Sequence, residues 1–148
     1  MIRIATLLIV LVALVQTAPA GGDIDWRTHE QALPEAAESG KPIIIHFTAE
    51  WCSWCTKMKN ETYTDPEVAR LMTGDFVTAM VDSDHNPLLS WIYGVQSLPT
   101  IWILDSEGQG ITRINGYKDA RSFETYLTWV ASGEHHSQSF VQYQQTGS

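Results

Sequence analysis

Ile43-Ile44-Ile45-His46-Phe47-Thr48-Ala49-Glu50-Trp51-Cys52-Ser53-Trp54-Cys55 sets three isoleucines and a phenylalanine around one histidine, then places two cysteines three positions apart. The apolar part does not alternate with polar residues, which is the pattern of a strand buried on both faces and points to the centre of a sheet. The cysteines follow at a strand-to-helix junction. The segment from Trp51 to Lys59 is expected to be helical, and Asp65-Pro66-Glu67 signals a fresh helix start running to about Met72. The cysteines therefore stand at the head of a bent or broken helix.

Outward from that stretch, elements of both kinds alternate. On the N-terminal side, Trp26, Ala32, Leu33, Ala36 and Ala37 fall on one side and Arg27, Glu30, Glu35 and Glu38 on the other, a helical pattern over Trp26 to Ser39 that ends at Gly40. Pro34 argues against an unbroken helix there. On the C-terminal side, Phe76 to Val81 is an apolar run closed by the turn formers Asp82 to Pro87, and it is expected to pair in parallel with the first strand. A short helical piece follows from Leu88 to Tyr93. Leu98 to Leu104 and Ile111 to Asn115 flank the turn Asp105-Ser106-Glu107-Gly108 and read as a hairpin. Phe123, Tyr126, Leu127 and Val130 then recur at helical spacing between Asp119, a plausible N-cap, and Ala131. The order α, β, α, β, α, β, β, α predicts an α/β domain whose mixed central sheet carries helices on both faces. The tail after Gly133, rich in Ser and Gln, is expected to be disordered.

Composition narrows the function. The chain has 148 residues, 44% hydrophobic and 18% charged, which fits a single globular domain. Seventeen acidic against nine basic side chains give a net charge of −8, so no basic stripe is available to neutralise phosphates and nucleic acid is excluded as a partner class. Two cysteines rule out a multi-disulfide scaffold and any site built on four thiolates. Residues 1–20 read as a secretory signal: Arg3 supplies the positive start, Ile4 to Val15 the apolar run, and Ala18-Pro19-Ala20 the small residues of a cleavage site. An uncleaved anchor is the alternative. The domain proper is placed at 21–132, in an exported, periplasmic or secreted compartment where disulfides form and persist.

Two thiols in that compartment form either a structural bond or part of the machinery that handles such bonds. A thiolate is favoured at a helix N-terminus, where N–H groups carry partial positive charge, so Cys52 is the candidate attacking sulfur. Cys55, one turn in, is expected to be the more buried thiol and to attack a mixed disulfide once Cys52 has joined a partner. The bland alternative is a permanent structural disulfide, although so small a ring constrains the unfolded chain little. A third reading is metal capture by the two thiols with His46.

Phe47-Thr48-Ala49-Glu50-Trp51-Cys52-Ser53-Trp54-Cys55-Thr56-Lys57, followed some forty residues later by Tyr93-Gly94-Val95-Gln96-Ser97-Leu98-Pro99-Thr100, resembles the thioredoxin superfamily, and Ser39-Gly40-Lys41-Pro42 is similar to its exported members. The resemblance runs from about Lys41 to Val130. It implies a thioredoxin fold, Cys52 as nucleophile, Cys55 as resolving cysteine, and Pro99 as a cis-proline facing them. It also implies that the backbone of Leu98 pairs with an extended substrate segment beside Cys52. No cofactor is expected; the implied partners are protein disulfides or dithiols and a membrane electron-donor protein, and the chain is expected to act as a monomer.

Two positions depart from the family pattern. His46 stands where the family usually has a buried Asp, six residues before the first cysteine, and Ser53-Trp54 replaces the usual Gly-Pro. His46 has two readings, a proton-transfer group for the resolving step or a packed, hydrogen-bonded core histidine that burial keeps neutral. Trp51 is expected to pack against the domain and Trp54 to meet partners. His135-His136 is read as a solvated pair rather than a metal site. Because only about seventeen residues separate Asp82 from Pro99, without room for the helical insertion usual in the superfamily's dedicated oxidases, the reading favours a protein-disulfide reductase. An oxidase or isomerase, and a non-catalytic module binding a protein or copper, are the alternatives.

Overall fold

The computed structural model describes residues 23–147, so the expected address at 1–20 lies outside the described residues. Strand β1 (Ile43–Thr48) occupies the middle of a four-stranded sheet, between β2 (Val77–Asp82) and β3 (Thr100–Leu104), with β4 (Gly110–Asn115) beyond β3. β1 runs parallel to β2, in a register that sets Ile43 beside Val77 and Thr48 beside Asp82. It runs antiparallel to β3, and β3 pairs antiparallel with β4. The expected thioredoxin fold, with its mixed sheet, is what forms.

Every residue of β1 is buried, because each face of the strand meets a different helical layer. Ile43, Ile45 and Phe47 pack with Ala32 and Ala36 of α1 (His29–Ser39) and with Val77, Ala79 and Val81 of β2; Leu89 of α4 (Pro87–Ile92) joins them. Ile44 packs on the opposite side with Val68, Leu71 and Met72 of α3 (Pro66–Asp75) and with Phe123 and Leu127 of α5 (Ala120–Ala131). Each such aliphatic side chain contributes roughly 1.5–3 kcal/mol by leaving water. That burial on both faces holds the end of β1, and the cysteine-bearing segment attached to it, in one place.

Helix α1 starts later than the sequence pattern predicts. Thr28 takes an extended conformation as N-cap, accepting from the Gln31 N–H while the Gln31 side chain accepts from the Thr28 N–H. Trp26 and Arg27 therefore stay outside the helix, and Arg27 forms a one-residue parallel bridge to Ala79 on the outer edge of β2. Pro34 lies inside α1 without ending it. The hairpin strand β3 begins at Thr100 rather than Leu98, and the Leu98–Pro99 peptide just before it is cis.

The expected disordered tail is a correction. After a 3₁₀ turn at Glu134–His136, helix α6 (Phe140–Thr146) forms under a Ser139/Gln142 capping box. Phe140 stacks on Tyr126 at 3.6 Å between ring centres and meets Trp129 edge-on at 5.4 Å, while the Trp129 indole donates to the Gln138 carbonyl. The polar composition of the tail hides these few aromatic anchors. Phe140→Ala is expected to cost about 1–2 kcal/mol in denaturant unfolding, the scale of a lost aromatic pair plus partial burial. A change below about 0.5 kcal/mol, ordinary for a surface substitution, would show that α6 is not docked.

Candidate active site

The chain leaves β1 at Thr48 and turns at once, the Cys52 N–H donating to the Ala49 carbonyl. Cys52 is extended and serves as the N-cap of α2 (Ser53–Lys57), its Sγ accepting from the Cys55 N–H at 3.2 Å. A sulfur here satisfies one of the N–H groups that every helix start leaves unpaired. Cys52 and Cys55 are joined as a disulfide with their Cα atoms 5.3 Å apart, within the ordinary range for such a bond. The helix continues into a π-helical turn, Met58–Thr62, which is the break expected in the sequence.

Exposure differs from one expectation. Cys55 is fully buried, as anticipated, but the candidate attacking sulfur, Cys52, is itself only 3% exposed in the disulfide form, so the two differ less than a buried-against-attacking pair suggests. Ala49 and Leu98 pack around the pair, and Leu98 is the residue that precedes the cis-proline Pro99. Leu98 thus forms one wall over the sulfurs. What solvent access there is belongs to Cys52.

The flanking aromatics also sort differently. Trp51 does not pack into the domain: it is 70% exposed, and its indole donates to the Asp84 carboxylate at 2.9 Å, tying the approach to Cys52 to the turn after β2. Trp54, 56% exposed, tilts against Tyr117 with ring centres 5.5 Å apart. Lys57 lies over the Tyr117 ring and pairs with Glu61, to which the Tyr117 hydroxyl also donates. Ser53 is exposed at the first position of α2.

His46 lies on the Ile44 side of β1, fully buried, with Trp26 and Tyr63 packed on its ring. Its Nδ1 is 2.7 Å from the Tyr63 hydroxyl. Burial, with a smaller push from the Lys59 charge, lowers the imidazole pKa to about 3. Burial also drives the Tyr63 phenol above its ordinary value, so Tyr63 keeps its proton. The ring tautomer sets which of the two donates in this hydrogen bond, and Nε2 is buried with no protein partner. Full burial and the Tyr63 hydrogen bond are features of a packed core histidine. Tyr63 and Trp26, which hold it, carry no motif that singles them out in the sequence. Asp84 and Tyr117 likewise gain meaning only from the fold.

Among the described residues, no group of three His, Cys, Asp or Glu side chains is placed to hold a metal. Nδ1 of His46 is engaged by Tyr63, and in this oxidised form the two sulfurs are bonded to each other. Of the His135–His136 pair, whose rings lie 3.9 Å apart, His136 is exposed, whereas His135 rests edge-on against Trp129 with its Nδ1 buried.

Comparison with known proteins agrees with this geometry. A family model described as a thioredoxin-like domain matches residues 29–131. The thiol:disulfide interchange protein DsbD of Photorhabdus laumondii is 32% identical over 110 residues, 70% of this chain and 18% of that protein. DsbD of Salmonella typhi is 35% identical over 104 residues, 66% of this chain and again 18% of the relative. The chain thus spans under a fifth of the length of these relatives. The solution structure of a thioredoxin from Thermus thermophilus superimposes with a TM-score of 0.68 at 28% identity, over 78% of this chain and 97% of that one.

His46 sets a pH dependence with a definite sign. In the unfolded chain it gains a proton below its ordinary value of 6.5, whereas in the folded one it stays neutral to about 3. The unfolded state binds more protons across that window, so this contribution to stability is complete above about pH 6.5 and is lost as pH falls through it. His46→Gln is expected to flatten the fall in unfolding free energy between about pH 7 and 4. Equal slopes in the two proteins would contradict a buried neutral ring.

Proposed function

The chain belongs to the thioredoxin-like domain family, and on that footing we propose that it is an exported thiol-disulfide oxidoreductase that reduces disulfides in protein partners. The observation that carries the reading is the Cys52–Cys55 disulfide at the head of a helix, with Cys55 sealed and Leu98–Pro99 in cis beside it. The similarity to thiol:disulfide interchange proteins supports the class of reaction. The direction rests on compactness, since α4 is the one helix between β2 and Pro99. Export rests on the charged start, apolar run and small residues of 1–20.

In the reducing direction, the Cys52 thiolate attacks one sulfur of a partner disulfide. A Cys52–partner mixed disulfide forms and the partner's other sulfur leaves as thiolate. Cys55, having given up its proton, then attacks Cys52 Sγ; the Cys52–Cys55 bond forms and the first partner sulfur leaves. Two electrons pass from the dithiol to the partner disulfide. A donor dithiol, which we assign to a membrane electron-donor protein, returns them by the same exchange in reverse. The nearly closed Cys52 requires the partner to bring its sulfur in past Leu98, so Leu98, Pro99, Ser53, Trp51 and Trp54 are assigned to partner contact. His46 is assigned a supporting place in the wall: with its conjugate acid near pKa 3 it is a weak base for the Cys55 proton, and it keeps permanent charge away from that side of the sheet.

Two measurements test the reading. Cys55→Ala is expected to accumulate mixed disulfides on Cys52 with partner proteins that dithiothreitol releases, and the double variant Cys52→Ala/Cys55→Ala to accumulate none; an empty Cys55→Ala trap would contradict exchange. For direction, a redox titration near the thioredoxin value of about −270 mV supports reduction, and one near −120 mV overturns it.

A further inference from the structure

The segment from Cys52 to Cys55 presents two exposed side chains, Ser53 and Trp54. Trp51, just ahead of it, is fixed by its hydrogen bond to Asp84. The Trp54 indole has no hydrogen bond among the described residues, and the ring it meets is that of Tyr117. An indole at 56% exposure without such a neighbour would keep its side-chain freedom in solution. What fixes Trp54 is therefore whatever fixes Tyr117.

Tyr117 is half-buried and packs against the core layer that holds Ile44 and Phe123. Its chain neighbours are both tied down: the Gly116 N–H donates to the Pro99 carbonyl at 2.8 Å, and the buried Thr62 hydroxyl donates to the Lys118 carbonyl at 2.6 Å. Lys57 Nζ lies 5.4 Å from the centre of the Tyr117 ring, and the Tyr117 hydroxyl donates at 3.2 Å to Glu61, the carboxylate that pairs with Lys57. Trp54 and Lys57 are three residues apart on α2 and so share one face of that helix. The Gly116–Tyr117 pair thus joins the helix that carries the sulfurs to the cis-proline, whose preceding residue, Leu98, packs on them.

We propose that Tyr117 is a positioning residue for partner recognition: its ring holds Trp54 in the orientation that a polypeptide segment meets on its way to Cys52. This rests on the thiol-disulfide reading and deepens it, since it gives a residue outside both sequence motifs a part in favouring polypeptide disulfides over small ones. A side chain ordered before contact has less freedom to lose when the partner arrives, and that advantage shows in recognition rather than in the exchange at sulfur. A disulfide too small to reach Trp54 gains nothing from it. The ring is what the role requires; the hydroxyl, which meets Glu61, is not.

The test measures the second-order rates at which reduced protein is oxidised by insulin and by hydroxyethyl disulfide, and takes their ratio. Tyr117→Leu is expected to lower the ratio of insulin to small-disulfide rate by about three- to tenfold, the range of an aromatic pair. Trp54→Ala is expected to lower it at least as far, and Tyr117→Leu added to Trp54→Ala to lower it no further, because Tyr117 acts through Trp54. Tyr117→Phe is expected to keep the wild-type ratio. A second readout is independent of thiol chemistry. In protein labelled with fluorotryptophan, the fluorine NMR resonance that Trp54→Phe removes is expected to move toward that of the free amino acid in Tyr117→Leu and to stay in place in Tyr117→Phe. An unchanged ratio or an unmoved resonance in Tyr117→Leu overturns the proposal. So do additive losses in the double variant, a Tyr117→Phe loss as large as that of Tyr117→Leu, or a wild-type protein that hydroxyethyl disulfide oxidises and insulin does not. Wild-type protein that neither disulfide oxidises counts against the redox reading, and the resonance then decides whether Tyr117 holds Trp54.

Discussion

The sulfur of Cys52 caps a helix, and the remainder of the site is arranged around that contact. An N-cap is usually an oxygen; here Sγ accepts the Cys55 N–H, so the first turn of α2 and the reactive pair are one structure. The cap fixes which cysteine lies outermost, because the residue three positions on must point back along the helix toward the core. Cys55 is accordingly buried. The cap works only if the chain arrives at a defined point, and β1, buried on both faces between a parallel and an antiparallel neighbour, supplies that point.

Much of this is legible in the sequence. Ile43-Ile44-Ile45-His46-Phe47 has a run of apolar residues that only a central strand accommodates, and the adjacent cysteines could hardly lie anywhere but at its end. The features that escape are set by contacts distant in sequence or by single caps. Thr28 moves the start of α1, since one side-chain bond to Gln31 outweighs an apolar pattern beginning at Trp26. The tail departs from its composition because composition averages over residues, whereas Phe140 alone finds Tyr126 and Trp129. Trp51 has the size of a core residue, and only the fold brings Asp84, 33 positions away, within reach of its indole.

His46 shows how environment bears on two legitimate readings of one side chain. An imidazole near neutral pH is a versatile proton carrier. Buried beside Trp26 and hydrogen-bonded to a phenol that burial keeps protonated, it stays neutral. A carboxylate in that position would be a titrating negative charge buried in the sheet; the imidazole there is neutral. The reactivity of Cys52 is thereby left to the helix start and to the Leu98 wall.

The most direct test of that dependence is the alkylation of the fully reduced protein by iodoacetamide as a function of pH, with the modified residue located by mass spectrometry. The account predicts that Cys52 is labelled first and that its rate titrates with a midpoint well below the ~8.5 of an ordinary thiol. Labelling of Cys55 first, or a midpoint at about 8.5 or above, would contradict it.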